Sequence, residues 1–242
     1  EVLAALRGSV IPATIGAVPG VTTAVTGKTA ATSDFNATMA DRMPIVFAFV
    51  LLLVFVLLLV TFRSIVIPIK AVLLNLLSVG AAYGVLVAVF QHRWAEGSLG
   101  FHSNGAIVSW LPMFLFVILF GLSMDYHVFI LSRVKELVDG GMDTDDAVAA
   151  GIKRTASVVT SAAAVMIAVF AIFATLNVLE MKQMGVGLAA AILIDATLIR
   201  AVLLPATMKL LGDWNWYLPR WLEWLPRLPA RAPGVPALDA AS

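Results

Sequence analysis

The chain has 242 residues, 61% of them hydrophobic and only 13% charged, whereas soluble globular domains carry about 25% charged residues. That composition excludes a soluble domain and specifies an integral membrane protein. With no cysteine, a disulfide framework and a thiolate metal site are excluded. A formal net charge of +1 names no partner, and no nucleic acid is expected.

In chain order, residues 1–43 come first. Residues 2–15 read as a helix, residues 21–26 as a Val/Thr-rich strand ended by Gly27, and Ser33-Asp34 as the cap of a helix entering the membrane. One helix and one strand do not make a stable domain. The sequence also starts at Glu1 without a signal-peptide pattern, so it reads as part of a longer protein.

A helix needs about 20 apolar residues to cross the hydrocarbon core. Five segments qualify: 45–62, 67–90, 106–131, 156–176 and 184–208. Pro44 suits the first turn of the first span. The short links set the orientation, because Lys and Arg collect on the cytoplasmic side. Arg63 and Lys70, then Arg133, Lys135, Lys153 and Arg154, then Lys209, Arg220, Arg227 and Arg231 fall on one side. Only Arg93 and Lys182 fall on the other, which predicts a cytoplasmic C-terminus. Residues 134–153 read as a separate cytoplasmic helix after the Gly140-Gly141 break, capped at Asp143. The tail, residues 213–242, interleaves Trp with Arg as an interfacial anchor, and beyond Pro226 it reads as disordered. The three predicted regions are therefore 1–43, a membrane domain 44–212 and the tail 213–242.

The informative residues are the polar ones inside the spans. Asp125, followed by Tyr126, lies in an apolar helix where an acid costs about 3 kcal/mol to insert. Such a group is a functional candidate, here a proton carrier, with Tyr126 supplying a hydroxyl to orient it and Ser123 close by. Asp195 falls near the middle of the fifth span. Arg200 is about 7.5 Å further along by helical rise. Five residues apart, the two are not on one α-helical face. Arg200 is therefore expected to face polar groups of the third span or to snorkel, and Asp195 to make a separate buried contact. Lys70 is expected to snorkel and Asn75 to hydrogen-bond between helices. Gly80 and Gly84 form a small-xxx-small stripe for close helix packing, as does Ser157-xxx-Ser161. His92, His102 and His127 lack metal-ligand spacing; no metal is expected, and His127 receives no role.

Four motifs occur in order: Thr61-Phe-Arg-Ser-Ile-Val-Ile-Pro-Ile-Lys running on to Gly84, Phe120-Gly-Leu-Ser-Met-Asp-Tyr-His-Val-Phe, Gly187-Leu-Ala-Ala-Ala-Ile-Leu-Ile-Asp-Ala-Thr-Leu-Ile-Arg, and Leu204-Pro-Ala-Thr-Met-Lys. With them, the chain resembles the C-terminal half of an MMPL-family transporter of the RND superfamily over residues 20–226. The resemblance implies an all-α polytopic membrane protein whose five transmembrane helices are the last five of an RND-type transporter. Residues 1–43 would then be an α/β remnant of its extracytoplasmic porter domain. It implies a secondary active transporter rather than an enzyme. Such a protein exports lipids or other hydrophobic compounds across the bacterial plasma membrane, driven by the proton-motive force and using no cofactor beyond protons as coupling ion. Asp125 and Tyr126 would be the C-terminal half of a two-part proton relay, with Ser123, Asp195 and Arg200 as candidate support. Implied partners are membrane lipids, the hydrophobic substrate, and the N-terminal half or a second subunit, with a homo-oligomer also open.

Two alternatives stand beside this reading. A non-transporting RND relative, such as a translocation helper or lipid sensor, would share the fold and spans but differ in the porter domain or in using the acid. An intramembrane aspartyl protease would pair Asp125 with Asp195. Its Tyr-Asp and Gly-x-Gly-Asp signatures are absent here, and the two acids differ in depth.

Overall fold

The computed structural model describes residues 2–225. Among these no strand forms, and five helices are long and apolar enough to cross a membrane. They are α1 (Lys28–Phe62), α2 (Val66–Gln91), α3 (Leu111–Asp139), α4 (Thr144–Ala174) and α5 (Leu179–Trp216). The chain is a multi-pass membrane protein.

It divides into two units, Glu1–Phe47 and Ala48–Ser242. In the first, a helical segment, Val2–Ala13, opens into a wider five-residue turn at Leu6–Val10. Residues 21–26 are irregular, so the expected strand and α/β remnant are not seen. An extended segment with no strand beside it has nothing to satisfy its backbone groups. The expected cap at Ser33-Asp34 is not made either. α1 begins earlier, at Lys28 after Gly27. The Asp34 carboxylate is instead held by Arg7, whose Nη2 donates to Oδ2 at 2.8 Å and whose Nη1 donates to Oδ1. Pro44 lies inside α1 rather than at a helix start.

In the second unit, α5 packs against each of α2, α3 and α4. The close approaches come from glycines. A Cβ on Gly185 would stand 2.6 Å from the Ala174 nitrogen and from the Phe170 carbonyl oxygen of α4. One on Gly187 would meet Leu115 at 3.0 Å and Leu86 at 3.2 Å, and one on Gly151 would press Val134 at 2.6 Å. Gly80 and Gly84 do not play the expected part within this chain. Both are exposed on α2, and a Cβ on either meets nothing within 4 Å. Ser157 and Ser161 are likewise exposed, and the Ser161 hydroxyl donates to the Ser157 carbonyl of its own helix.

The separate helix expected over 134–153 is absent. α3 runs to Asp139, the chain turns at Gly140-Gly141 with φ +92° at Gly141, and α4 continues unbroken from Thr144. Asp143 caps α4 as expected, accepting from the Asp145 N–H at 3.1 Å.

One end of the unit is tied by the tight final turn of α5, Gly212–Trp216. Asn215, fully buried, donates to the Met208 and Gly212 carbonyls at 2.7 and 2.6 Å. It accepts from Lys70 Nζ at 2.7 Å, and its carbonyl accepts from Ser64 at 2.6 Å. Lys70 is therefore buried in this knot rather than snorkelling. Arg63 donates to the carbonyls of Leu225 and Glu223 at 2.7 and 3.1 Å, and Thr144 donates to Asp213 at 2.8 Å. Trp214, Tyr217, Trp221 and Trp224 stay exposed around it, as an interfacial belt requires. The disordered end expected beyond Pro226 lies outside the described residues.

Because the atoms facing Gly185 are mainly backbone, Gly185→Ala forces α4 and α5 apart. It is expected to lower the stability of the full-length protein by about 1–3 kcal/mol, read as a lower thermal midpoint in detergent. Gly80→Ala in the same assay tests whether residues outside this chain pack on α2.

Candidate functional site

α5 is not a uniform α-helix. Between Leu179–Ile194 and Leu204–Leu211 it carries nine residues of π-helix, Asp195–Leu203. Two sequence features favour the wider turn. Pro205 lacks an N–H and leaves a carbonyl of the preceding turn without its α-helical donor. Thr197 donates its hydroxyl back to the Leu193 carbonyl at 2.6 Å, a contact that loosens helices. In an α-helix residues five apart are turned by about 140°; where hydrogen bonds close over five residues they come round to one side.

The consequence is an ion pair between Asp195 and Arg200, whose Nη2 donates to Asp195 Oδ2. Both side chains are buried, 7% and 6% exposed. The expectation of separate contacts for these two residues is thus corrected, and the π turn is the reason. Arg200 also faces α3. Nη2 reaches the Ser123 carbonyl at 3.3 Å, and the guanidinium carbon lies 4.5 Å from the centre of the Tyr126 ring. Ser123 donates its hydroxyl to Asp195 Oδ1 at 3.1 Å. One turn on, His127 is fully buried. Its Nδ1 lies 3.2 Å from the Ser123 carbonyl and 3.5 Å from the Ser123 hydroxyl. A carbonyl only accepts, and the Ser123 hydroxyl proton is directed to Asp195, so the hydrogen sits on Nδ1.

Ser123, Tyr126, Asp195 and Arg200 are therefore brought together, and Asp125 is not. Asp125 is exposed on the outer side of α3, and its carboxylate has no hydrogen-bond or ion-pair partner among the described residues. Successive residues of a helix point about 100° apart. Asp125 consequently turns outward while Tyr126 turns toward Arg200, so Tyr126 does not orient Asp125 within this chain. Asp125 and Asp195 do not share a site, which removes the geometry of an aspartyl dyad.

Sequence reasoning overlooked Ser78 and gave His127 no role, yet both are buried, beside this cluster or on the lining of its cavity. Asn75, expected to hydrogen-bond between helices, lines the same cavity, but its amide makes no such bond among the described residues. Their signal was spacing: Asn75 and Ser78 are three apart, Ser123 and His127 four apart, each pair on one helical face.

A cluster in which a buried cation is shared by a carboxylate, a backbone carbonyl and an aromatic face holds its charges away from bulk solvent, where each polar contact weighs more than it would in water. The sequence places it in known company. The MMPL family model matches residues 1–236. The chain belongs to the MMPL family. Among relatives of this MMPL chain is the mycolic acid-containing lipids exporter MmpL11 of Mycolicibacterium smegmatis, 46% identical over 85% of the chain and 22% of the relative. The heme uptake protein MmpL11 of Mycobacterium tuberculosis is 46% identical over 82% of the chain and 20% of the relative. The trehalose monomycolate exporter MmpL3 of M. smegmatis is 34% identical over 84% and 20%. The chain thus spans about a fifth of the length of these relatives.

Breaking a buried ion pair from one side leaves an uncompensated charge, which costs about 3–5 kcal/mol. Asp195→Asn and Arg200→Met are each expected to destabilise the full-length protein by that order. The double variant should lose clearly less than the sum, read by a double-mutant cycle of unfolding free energies. Additive losses would show that the two side chains do not act as a pair.

Proposed function

We propose that this chain is part of a secondary active transporter of the RND superfamily that exports lipids or other hydrophobic compounds, driven by the proton-motive force. It contributes five spans of the C-terminal half in a bacterial plasma membrane. The observation that carries the reading is the exposed acid. Asp125 sits in the middle of an apolar helix, faces away from its own bundle and finds no counter-ion there. An intramembrane carboxylate turned outward is tolerable where another polar surface meets it. The remaining part of the protein, or a second subunit, would supply that surface.

Protonation then has a mechanical meaning. With Asp125 charged, α3 favours a polar neighbour or water; with Asp125 neutral, it packs against an apolar one. A proton taken from one side of the membrane thereby shifts the balance between two helix arrangements. Tyr126 lies next to Asp125 in sequence and against Arg200 in space, so a movement of α3 at Asp125 is felt by the Asp195–Arg200 pair. The substrate class is inferred from two relatives named as lipid exporters.

The orientation follows from charge. Arg63, Lys135 and Thr144 contact the final turn of α5 or the tail, so the basic links α1–α2 and α3–α4 gather at the end where α5 finishes. On the positive-inside rule that end, with the tail, is cytoplasmic.

Asp125→Asn in the full-length protein, reconstituted in liposomes with an imposed pH gradient, is expected to abolish gradient-driven lipid export. Asn keeps the size and hydrogen-bonding capacity of Asp toward the polar surface that meets position 125, so the stability is expected to change by no more than about 1 kcal/mol. Export at the parent rate would overturn the coupling role of Asp125, and a parent protein without gradient-driven export would favour the non-transporting relative.

A further inference from the structure

A small cavity lies between α2, α3, α4 and α5, and its polar lining is Asn75, Ser78, Ser123, Tyr126, Asp195 and Arg200. Its volume is about 10 Å³, the room that one water molecule needs. Asn75 is 1% exposed, and neither its Oδ1 nor its Nδ2 finds a partner in the protein. Arg200 Nε, on the same lining, is also unpartnered. Buried amides are almost always hydrogen-bonded, and leaving both atoms unpaired costs about 1–3 kcal/mol for each group. An apolar side chain would have avoided that cost at this position in a helix of Leu, Val and Ala.

We propose that this cavity binds one ordered water, anchored by Asn75 and shared with the Asp195–Arg200 pair. A water there has the right complement. It accepts from Asn75 Nδ2 or Arg200 Nε and donates to Asn75 Oδ1 or the Asp195 carboxylate, within the two to four bonds such waters make. Asn75 is then a positioning residue, acting on the ion pair through the water and not by direct contact.

The water gives Asp195 a partner that can reverse its role. Beside the carboxylate it donates a hydrogen bond. If a proton reaches it, the resulting hydronium passes that proton to Asp195 and returns to water, now accepting from the carboxyl O–H. The guanidinium is released from the carboxylate and keeps the Ser123 carbonyl and the Tyr126 ring. This role in transport rests on the export reading above; the water site itself does not.

The test uses the full-length protein in two measurements. The first is a map at a resolution that shows buried waters elsewhere in the membrane domain. Density within hydrogen-bond distance of both the Asn75 amide and Asp195 is expected. An Asn75 amide bonded to a side chain from another part of the protein, or no density between it and Asp195, overturns the proposal. The second compares Asn75→Leu with Asn75→Ser. Leu removes the amide and displaces the water together, so the thermal midpoint should be kept or raised while gradient-driven export falls roughly three- to tenfold, the range of one net hydrogen bond. Ser leaves room and a hydroxyl for the water and should retain most of the rate. Export unchanged in Asn75→Leu overturns the positioning role. A parent protein with no gradient-driven export defeats the transport reading alone, because the density still decides the water site.

Discussion

The ion pair between Asp195 and Arg200 is the contact on which the centre of the membrane bundle depends. It brings a cation and an anion into a region where each alone would be costly, and it does so only because α5 abandons the α-helical repeat over nine residues. Once formed, the pair sets the arrangement around it. The carboxylate takes the Ser123 hydroxyl, the guanidinium takes the Ser123 carbonyl and the face of Tyr126, and His127 is held in one tautomer by what remains. α3 and α5 are thereby registered against each other by polar contacts as well as by packing at Gly187.

The same geometry sorts the two membrane acids. Asp195 is enclosed and compensated within the chain; Asp125 is turned out and uncompensated. An inward acid with a resident cation suits a fixed element of structure that senses protonation, whereas an outward acid suits a surface that changes partners. This division is what the proposed transporter would need, with one segment carrying part of a relay and the rest of the protein supplying its counterpart. The knot around Asn215 has a complementary role. It fixes the ends of α2, α3 and α5, so that the movement proposed at Asp125 would not be lost in loose helix ends.

Much of the fold was legible in the sequence. The five spans follow from apolar length, and the cap at Asp143 and the break at Gly140-Gly141 follow from local chemistry. The helix ends moved where a local rule met continuity. Pro44 was absorbed into α1 because an interior proline removes a hydrogen bond without forbidding the helix, and α4 ran on through the segment read as a separate helix. The site was legible in membership but not in arrangement. Ser123, Tyr126, Asp195 and Arg200 were picked for their polarity. A uniform 3.6-residue repeat then separated Asp195 from Arg200, since the π turn has only weak signals in Thr197 and Pro205. The outward direction of Asp125 was recoverable: Ser123 and His127 share a face, and a residue midway between them must point away from it. The glycine stripe misled because small-residue spacing marks where a helix can be approached closely. It does not say whether this chain makes the approach, and Gly185 and Gly187 carry it instead.

The central claim is that the face of α3 bearing Asp125 is covered by a polar surface from elsewhere in the protein, while the Asp195 face is closed within this chain. A photoreactive amino acid placed at position 125 of the full-length protein, with adducts located by mass spectrometry, tests it directly. The account predicts cross-links to peptides outside this segment, in particular to a span carrying ionisable or hydroxyl side chains. Adducts to lipid alone, or to α5 of this same chain, would contradict it.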